Sequence, residues 1–220
     1  MQTTRVWDLP TRLFHWLLAL AVVGLAITGQ LGGAWMDWHF RLGYSVLTLL
    51  LFRLVWGFVG GLWSRFSSIL YGPTTTLRYL RGLAAPELGV GHNPLGALSV
   101  LGMLGFLALQ VGSGLLSDDE ISNAGPLSKF VSNDWVVLST HYHTKVGKWV
   151  LLALVIIHVL AIITYRLKKG QDLVTPMFTG NKVTGDGVAG SLDSTKSRFA
   201  AGLLLVACAG AVVTLVAWVA

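Results

Sequence analysis

The chain has 220 residues, of which 54% are apolar and only 12% carry a charge. Soluble domains usually have about a quarter charged residues, so this composition and the mean hydropathy of +0.67 indicate a protein that lies in lipid. The single cysteine, Cys208, excludes a disulfide framework, a cysteine-rich metal site and the C-x-x-C-H motif that attaches haem covalently. A net charge of +6 in such an apolar chain is typical of basic residues kept on one side of a membrane, and it does not indicate nucleic-acid binding.

Five apolar segments are long enough to span a membrane as helices, which takes about 20 residues. They are residues 13–29, 42–63, 95–116, 149–165 and 199–219. Asn93 and Pro94 form a helix-start signal for the third of them. The sequence therefore predicts an all-α integral membrane protein: a four-helix transmembrane core over residues 1–169 and an accessory fifth span over 198–220. Residues 170–197, rich in Gly, Thr, Asp and Ser, are predicted to be a flexible linker.

Basic residues concentrate at the N-terminus and in alternate connections between the spans. They are Arg5, Arg12, Arg65, Arg78, Arg81, Arg166, Lys168, Lys169 and Lys182. The positive-inside rule therefore predicts a cytoplasmic N-terminus, and the odd number of spans predicts a C-terminus on the outer side of the membrane. Residues 64–82 mix leucines and arginines and are predicted to lie at the membrane surface.

Six histidines occur, and His15 and His158 lie inside otherwise apolar spans. Ionisable side chains there usually face a cofactor, a cavity or a partner. His143 and His158 are fifteen residues apart, which on one helix gives a rise of ~22 Å and an angular offset of ~60°. The fourth span thus presents one histidine near each membrane face.

The remaining histidines allow two pairs. His15 lies at the cytoplasmic start of the first span and His39 at the outer start of the second, so we expect His15 to pair with His158 and His39 with His143. Paired imidazoles without nearby carboxylates or cysteines suit the axial positions of a b-type haem better than a zinc site. The sequence therefore predicts two non-covalent, bis-histidine haem b groups at two levels of one bundle. His141 is the alternative outer ligand if the fourth helix starts late.

Other residues fit this prediction. Arg53 lies fourteen residues after His39, within ~40° of the same helix face, where it can meet a haem propionate or set the orientation of its helix. His92 is expected at the cytoplasmic surface, with either a structural role or a part in quinone or proton handling. Gly57 and Gly147 can leave room for a porphyrin or for close helix packing.

Several motifs resemble those of the bacterial cytochrome b561 family, which includes the b-type subunits of membrane-bound nickel–iron hydrogenases. They are Arg12-Leu13-Phe14-His15-Trp16, His39-Phe40-Arg41-Leu42-Gly43, Phe52-Arg53-Leu54-Val55-Trp56-Gly57, Gly91-His92-Asn93-Pro94-Leu95-Gly96-Ala97 and the helix that carries His143 and His158. The resemblance implies a four-helix core in a bacterial inner membrane, with two b haems that carry electrons between quinone and a periplasmic partner. The family usually spaces its two fourth-helix histidines fourteen apart, one fewer than here.

The predicted function is therefore electron transfer between the quinone pool and a periplasmic redox protein: a c-type cytochrome, a hydrogenase or another dehydrogenase. Two alternatives to this electron-transfer subunit stay open at this point. The first is an enzyme in its own right, a superoxide oxidase or ferric reductase. A metal or proton transporter is less favoured, because no internal repeat is visible. The acidic run at residues 118–120 is either a docking site for a basic protein or a solvated loop.

Overall fold

The structure is a computed structural model that describes residues 1–83 and 86–219. Within that part of the chain, five helices are long and apolar enough to cross a membrane. Their bounds are Leu9–Leu31, Gly33–Val59, Pro94–Leu116, Asn133–Lys169 and Thr195–Val219. The predicted all-α, multi-pass membrane fold is confirmed.

Short elements connect these helices. In chain order the strands and main helices are β1 (Gln2–Arg5), α1 (Leu9–Leu31), α2 (Met36–Val59), α3 (Pro73–Leu80), α4 (Pro94–Leu116), α5 (Asn133–His141), α6 (Lys148–Lys169), α7 (Thr175–Thr179), β2 (Asn181–Thr184) and α8 (Thr195–Val219). A π-helical segment, Tyr142–Gly147, joins α5 to α6. Short 3-10 turns lie at Gly33–Trp35, Leu62–Ser64, Phe66–Ser68, Pro86–Gly89 and Ser128–Phe130. The fourth span thus begins well before the predicted residue 149.

The chain divides into two compact units. The first unit comprises Met1–His15, Arg53–Gly102 and Ile157–Leu203, and the second comprises Trp16–Phe52, Met103–Ile156 and Leu204–Ala220. The core of the second unit is built from α1, α2 and α4, with Leu151 of α6 packed against it. Its buried residues are Ala21, Val46, Leu107 and Val111. The first four spans therefore contribute to one apolar core within this unit.

The segment predicted as a flexible linker is folded within the first unit. Its strand β2 pairs antiparallel with β1, so that Thr3 lies opposite Val183. Ser191 donates through Oγ to the carbonyl of Val6 at 2.7 Å, and Trp63 donates through Nε1 to the carbonyl of Ala189 at 2.9 Å. The linker prediction is corrected in this respect: these long-range contacts tie residues 181–191 to the N-terminal segment and to Trp63 after α2, which a composition rich in Gly and Ser does not reveal.

A buried carboxylate fixes the start of α1 in the same unit. Asp8 is fully buried and accepts hydrogen bonds from Thr11 N at 2.8 Å and from Gly61 N at 2.9 Å. Ser64 Oγ donates to the same carboxylate at 3.0 Å, and Trp56 Nε1 lies 3.3 Å from it. Asp8 is therefore both the N-cap of α1 and the point where the chain after α2 attaches to α1.

Replacing Asp8 with alanine is expected to destabilise the protein strongly. The truncation leaves several buried donors without an acceptor, and such losses cost about 3–5 kcal/mol in total. Thermal unfolding of the purified protein in detergent measures the effect. Asp37→Ala is the matched control, because Asp37 is an exposed acid in the first turn of α2. Equal melting temperatures for the two variants would contradict the structural role of Asp8.

Candidate functional site: two histidine pairs

The first unit brings His15 and His158 together. Their ring centres are 6.5 Å apart, and the ring planes meet at 51°. His15 comes from the first turns of α1 and His158 from the middle of α6. The rings therefore face each other across a space between two helices that are otherwise apolar.

The second unit brings His39 and His143 together. Their ring centres are 6.1 Å apart, and the rings are perpendicular. His39 lies in the first turn of α2 and His143 in the π-helical segment. His141 ends α5 with an exposed side chain, so it is His143 that faces His39.

Both separations fit two imidazoles that share one iron. A metal–imidazole bond is about 2 Å long and the ring centre lies about 1.1 Å further on, so two axial rings have centres about 6.3 Å apart. The observed values of 6.1 and 6.5 Å fall on either side of that distance. Each pair therefore has the spacing that haem requires.

Hydrogen bonds hold both rings of the second pair. His143 Nδ1 lies 2.8 Å from the carbonyl oxygen of Gln110, and His39 Nδ1 lies 3.2 Å from that of Leu25. A carbonyl only accepts, so each Nδ1 carries the proton and donates. Metal-binding histidines typically donate their second ring nitrogen in this way. Both Nε2 atoms are then left unprotonated and able to bind a metal.

Glycines on neighbouring helices give these two rings their space. A Cβ at Gly29 would lie 2.9 Å from His39 Cε1, and a Cβ at Gly114 would lie 2.8 Å from His143 Cε1. Room for a porphyrin was one predicted role of Gly57 and Gly147. Gly57 instead lies against the side chain of Phe66, and Gly147 lies against that of Gln110. Close packing explains these two glycines.

Arg53 lies in the first unit, which also holds His15 and His158. Arg53 is 5% exposed, and its guanidinium carbon lies 4.9 Å from the centre of the Phe66 ring. Its Nη1 is shielded from solvent and has no hydrogen-bond partner among the described residues. A buried cationic donor of this kind fits a carboxylate ligand such as a haem propionate.

His92, predicted at the cytoplasmic surface, is half-buried. Its ring lies 4.7 Å from that of Trp7, and its Nδ1 is shielded from solvent. Burial, and after it the charge of Arg53, lowers the pKa of His92 to about 4. The imidazole is therefore neutral at physiological pH. The contact with Trp7 could not be predicted from the sequence, because Trp7 is distant in the chain.

The acidic run has a structural use within its own loop. Asp119 Oδ1 accepts from the backbone N–H groups of Ile121, Ser122 and Asn123 at 2.9–3.0 Å. The side-chain amide of Asn123, followed by these backbone groups, holds the pKa of Asp119 well below its usual range. Asp118 Oδ1 likewise accepts from Glu120 N at 2.8 Å. The loop interpretation of residues 118–120 therefore accounts for these two carboxylates.

Two residues of structural weight were not singled out from sequence. Asp8 directly precedes α1, and its position as an N-cap is a signal that was available. Gln110 contacts His143, but one glutamine in an apolar span carries no information about which helix it faces. Among the described residues, no three His, Cys, Asp or Glu side chains are grouped so as to hold a metal ion. The metal-binding potential therefore rests on histidine pairs.

Apolar spans and facing imidazoles at haem spacing define the class of membrane-bound b-type cytochromes. Residues 6–180 match the family described as prokaryotic cytochrome b561, and the chain belongs to that family. Membership implies haem b as the cofactor and electron transfer as the activity.

Curated relatives agree. The chain is 25% identical to the probable Ni/Fe-hydrogenase B-type cytochrome subunit of Rhizobium leguminosarum bv. viciae, over 84% of this chain and 91% of the relative. Similar matches are the corresponding subunit of Cupriavidus necator, at 28% identity over 84% and 89%, and the Ni/Fe-hydrogenase 1 subunit of Escherichia coli K12, at 24% over 80% and 88%. No solved structure matches the chain significantly.

Proposed function

We propose that the chain carries two haem b groups, one at each histidine pair, and transfers electrons between the quinone pool and a periplasmic hydrogenase. The observation that carries the proposal is the matched spacing of the two pairs, 6.5 and 6.1 Å, each within one compact unit. His15 and His158 are the ligands in the first unit, and His39 and His143 are those in the second. The hydrogenase as partner is suggested by the names of the relatives.

Haem supplies reversible one-electron chemistry when bound. The chain's own residues hold it and set its surroundings. The backbone carbonyls of Leu25 and Gln110 accept from His39 Nδ1 and His143 Nδ1, which leaves each Nε2 available to bind iron. Arg53 offers a buried positive charge to a propionate, and the neutral His92 adds no charge near the first pair.

Charge distribution supports an orientation in a bacterial inner membrane. The first unit contains twelve lysines and arginines against five acidic residues, whereas the second contains four against five. Basic residues stay predominantly on the cytoplasmic side. The N-terminus is therefore proposed to be cytoplasmic, and the C-terminus, after an odd number of spans, periplasmic.

Electron transfer across a membrane tests the proposal directly. Proteoliposomes that contain an impermeant trapped reductant and face external ferricyanide are expected to reduce it faster than protein-free liposomes. The His143→Ala protein, reconstituted at equal amount, is the matched control and is expected to lose most of the rate. Equal rates for the native and variant proteins would overturn the proposed path.

The haem content is a further prediction. Four paired histidines and one isolated cysteine predict two equivalents of haem per chain, both extractable with acidified solvent because neither is covalently attached. A pyridine haemochrome assay against protein concentration measures this number. One equivalent, or haem that stays with the denatured chain, would contradict it.

A further inference from the structure

His143 lies where the helix that carries it is irregular. The segment Tyr142–Gly147 is π-helical between α5 and α6. In a π-turn the backbone N–H partner shifts from the fourth to the fifth residue along, so a carbonyl at the junction with an α-helix is left for another donor. The carbonyl of His143 accepts from Gln110 Nε2 at 3.0 Å. A side chain of α4 therefore donates a hydrogen bond to the backbone of the π-helical segment.

Gln110 holds His143 at two points. Its backbone oxygen lies 2.8 Å from His143 Nδ1, and its side-chain amide donates to the backbone of the same residue. Ser113 Oγ also lies near His143 Nδ1, but at 3.4 Å. The first bond fixes the direction of the imidazole, and the second fixes the backbone from which the imidazole extends.

Gly147 is what lets the amide of Gln110 reach this place. Gly147 is buried in the π-helical segment, and a Cβ on it would overlap Gln110 Oε1. That oxygen is shielded from solvent and has no hydrogen-bond partner among the described residues. The amide is therefore held through its donor side, by the bond from Nε2 to the carbonyl of His143. A flipped amide would place oxygen against the carbonyl oxygen of His143.

We propose that Gln110 is a positioning residue for His143, and that Gly147 provides the space in which its side-chain amide acts. The inference rests on the proposed function, in which His143 binds iron. Residues that orient a metal ligand through hydrogen bonds typically change metal affinity or activity 10–100-fold when they are replaced. Loss of the Gln110 amide is therefore expected to loosen His143 without removing it.

Carbon monoxide binding to the reduced protein reports that loosening. Two axial histidines exclude carbon monoxide, so the native protein is expected to react slowly at both haems. Gln110→Ala and the volume-conserving Gln110→Met are expected to keep two haems and to bind carbon monoxide about 10-fold faster at one of them. A shift in the midpoint potential of the same component, with the other unchanged, is the second readout.

Gly147→Ala makes the test specific to the geometry. In the native background the new Cβ displaces the amide, so this variant is expected to bind carbon monoxide about as fast as Gln110→Ala. In the Gln110→Ala background the same substitution has no amide to displace and meets only the ring of Tyr142, whose Cε1 would lie 2.7 Å from the new Cβ, so the added effect is expected to be smaller than in the native background. Leu109→Ala, at an exposed neighbour on α4, and Gly210→Ala, at a glycine with open space around it, are matched controls expected to behave as the native protein does.

Native behaviour of both Gln110 variants, or an equal added effect of Gly147→Ala in both backgrounds, would overturn the inference. Loss of haem from Gln110→Ala but not from Gln110→Met would assign Gln110 a packing role and would also overturn it. If the proposed function is wrong, the result is a different one: the His143→Ala protein would keep both haems, and neither would bind carbon monoxide, whatever the Gln110 variants do.

Discussion

The His143→Ala protein is expected to bind one haem instead of two, whereas His141→Ala is expected to keep both. His143 faces His39 with ring centres 6.1 Å apart, and its Nδ1 is held by the carbonyl of Gln110. His141 ends α5 with an exposed side chain. Removal of one of two axial ligands typically costs most of the affinity for the cofactor, and we expect at least about 10-fold weaker retention during purification.

Haem content and the reduced α-band spectrum, measured on both variants at equal protein concentration, check this result. His39→Ala gives an internal reference, since it is expected to lose the same spectral component as His143→Ala. The outcome that would contradict the assignment is the reverse one, in which His141→Ala loses the component and His143→Ala keeps it.

The pairing of the histidines was predictable because it depends on helical geometry, which sequence spacing specifies. What spacing did not reveal is how fifteen residues fit between His143 and His158. In an α-helix the offset between them is ~60°, but a π-turn takes up one residue more than an α-turn over the same rotation. The stretch is then equivalent to about fourteen α-helical residues, with an offset of ~40°. The π-helical segment thus accounts for one more residue between His143 and His158 than a continuous α-helix of the same rotation would hold.

Helix starts were predictable where a local cap exists and not elsewhere. Asn93 and Pro94 mark the start of α4, and Asn93 Oδ1 accepts from Gly96 N at 2.8 Å. By contrast, the fourth span starts at Asn133 because α5, the π-helical segment and α6 form one helical run, although residues 141–148 are polar enough to suggest a loop. Polar residues at a membrane face do not end a helix.

Long-range contacts were the least predictable feature. The strand pairing between residues 2–5 and 181–184 joins positions almost a whole chain apart. Asp193 Oδ1 accepts hydrogen bonds from Leu9 N at 3.2 Å and from Arg198 Nε at 2.9 Å. Asp193 therefore also joins the start of α1 to the segment before α8. Composition predicts a linker at residues 170–197 because none of these partners is near in sequence. Hydropathy likewise says nothing about which surface covers His92.

His15→Ala and His158→Ala are expected to remove the same haem component and to leave the other largely intact. The two rings face each other at 6.5 Å within the first unit, so they are proposed to share one iron. Each alanine removes one of two ligands, and either loss is expected to weaken retention of that haem by at least about 10-fold. Because His39 and His143 form their own pair in the second unit, their component is expected to retain its band position and potential.

Redox titration of each variant, followed at the α-band, distinguishes the two components. Leu13→Ala and Ile157→Ala are the matched controls, since each lies close in sequence to one of the histidines and exposes more than half of its surface. Both controls are expected to titrate as the native protein does. Arg53→Leu adds a graded case: with both ligands in place and one buried positive charge removed, the component of His15 and His158 is expected to remain but to titrate at a lower potential, because a nearby cation favours the reduced, less positive iron. If His15→Ala and His158→Ala instead remove different components, the two histidines do not share an iron, and the pairing drawn from the structure is wrong.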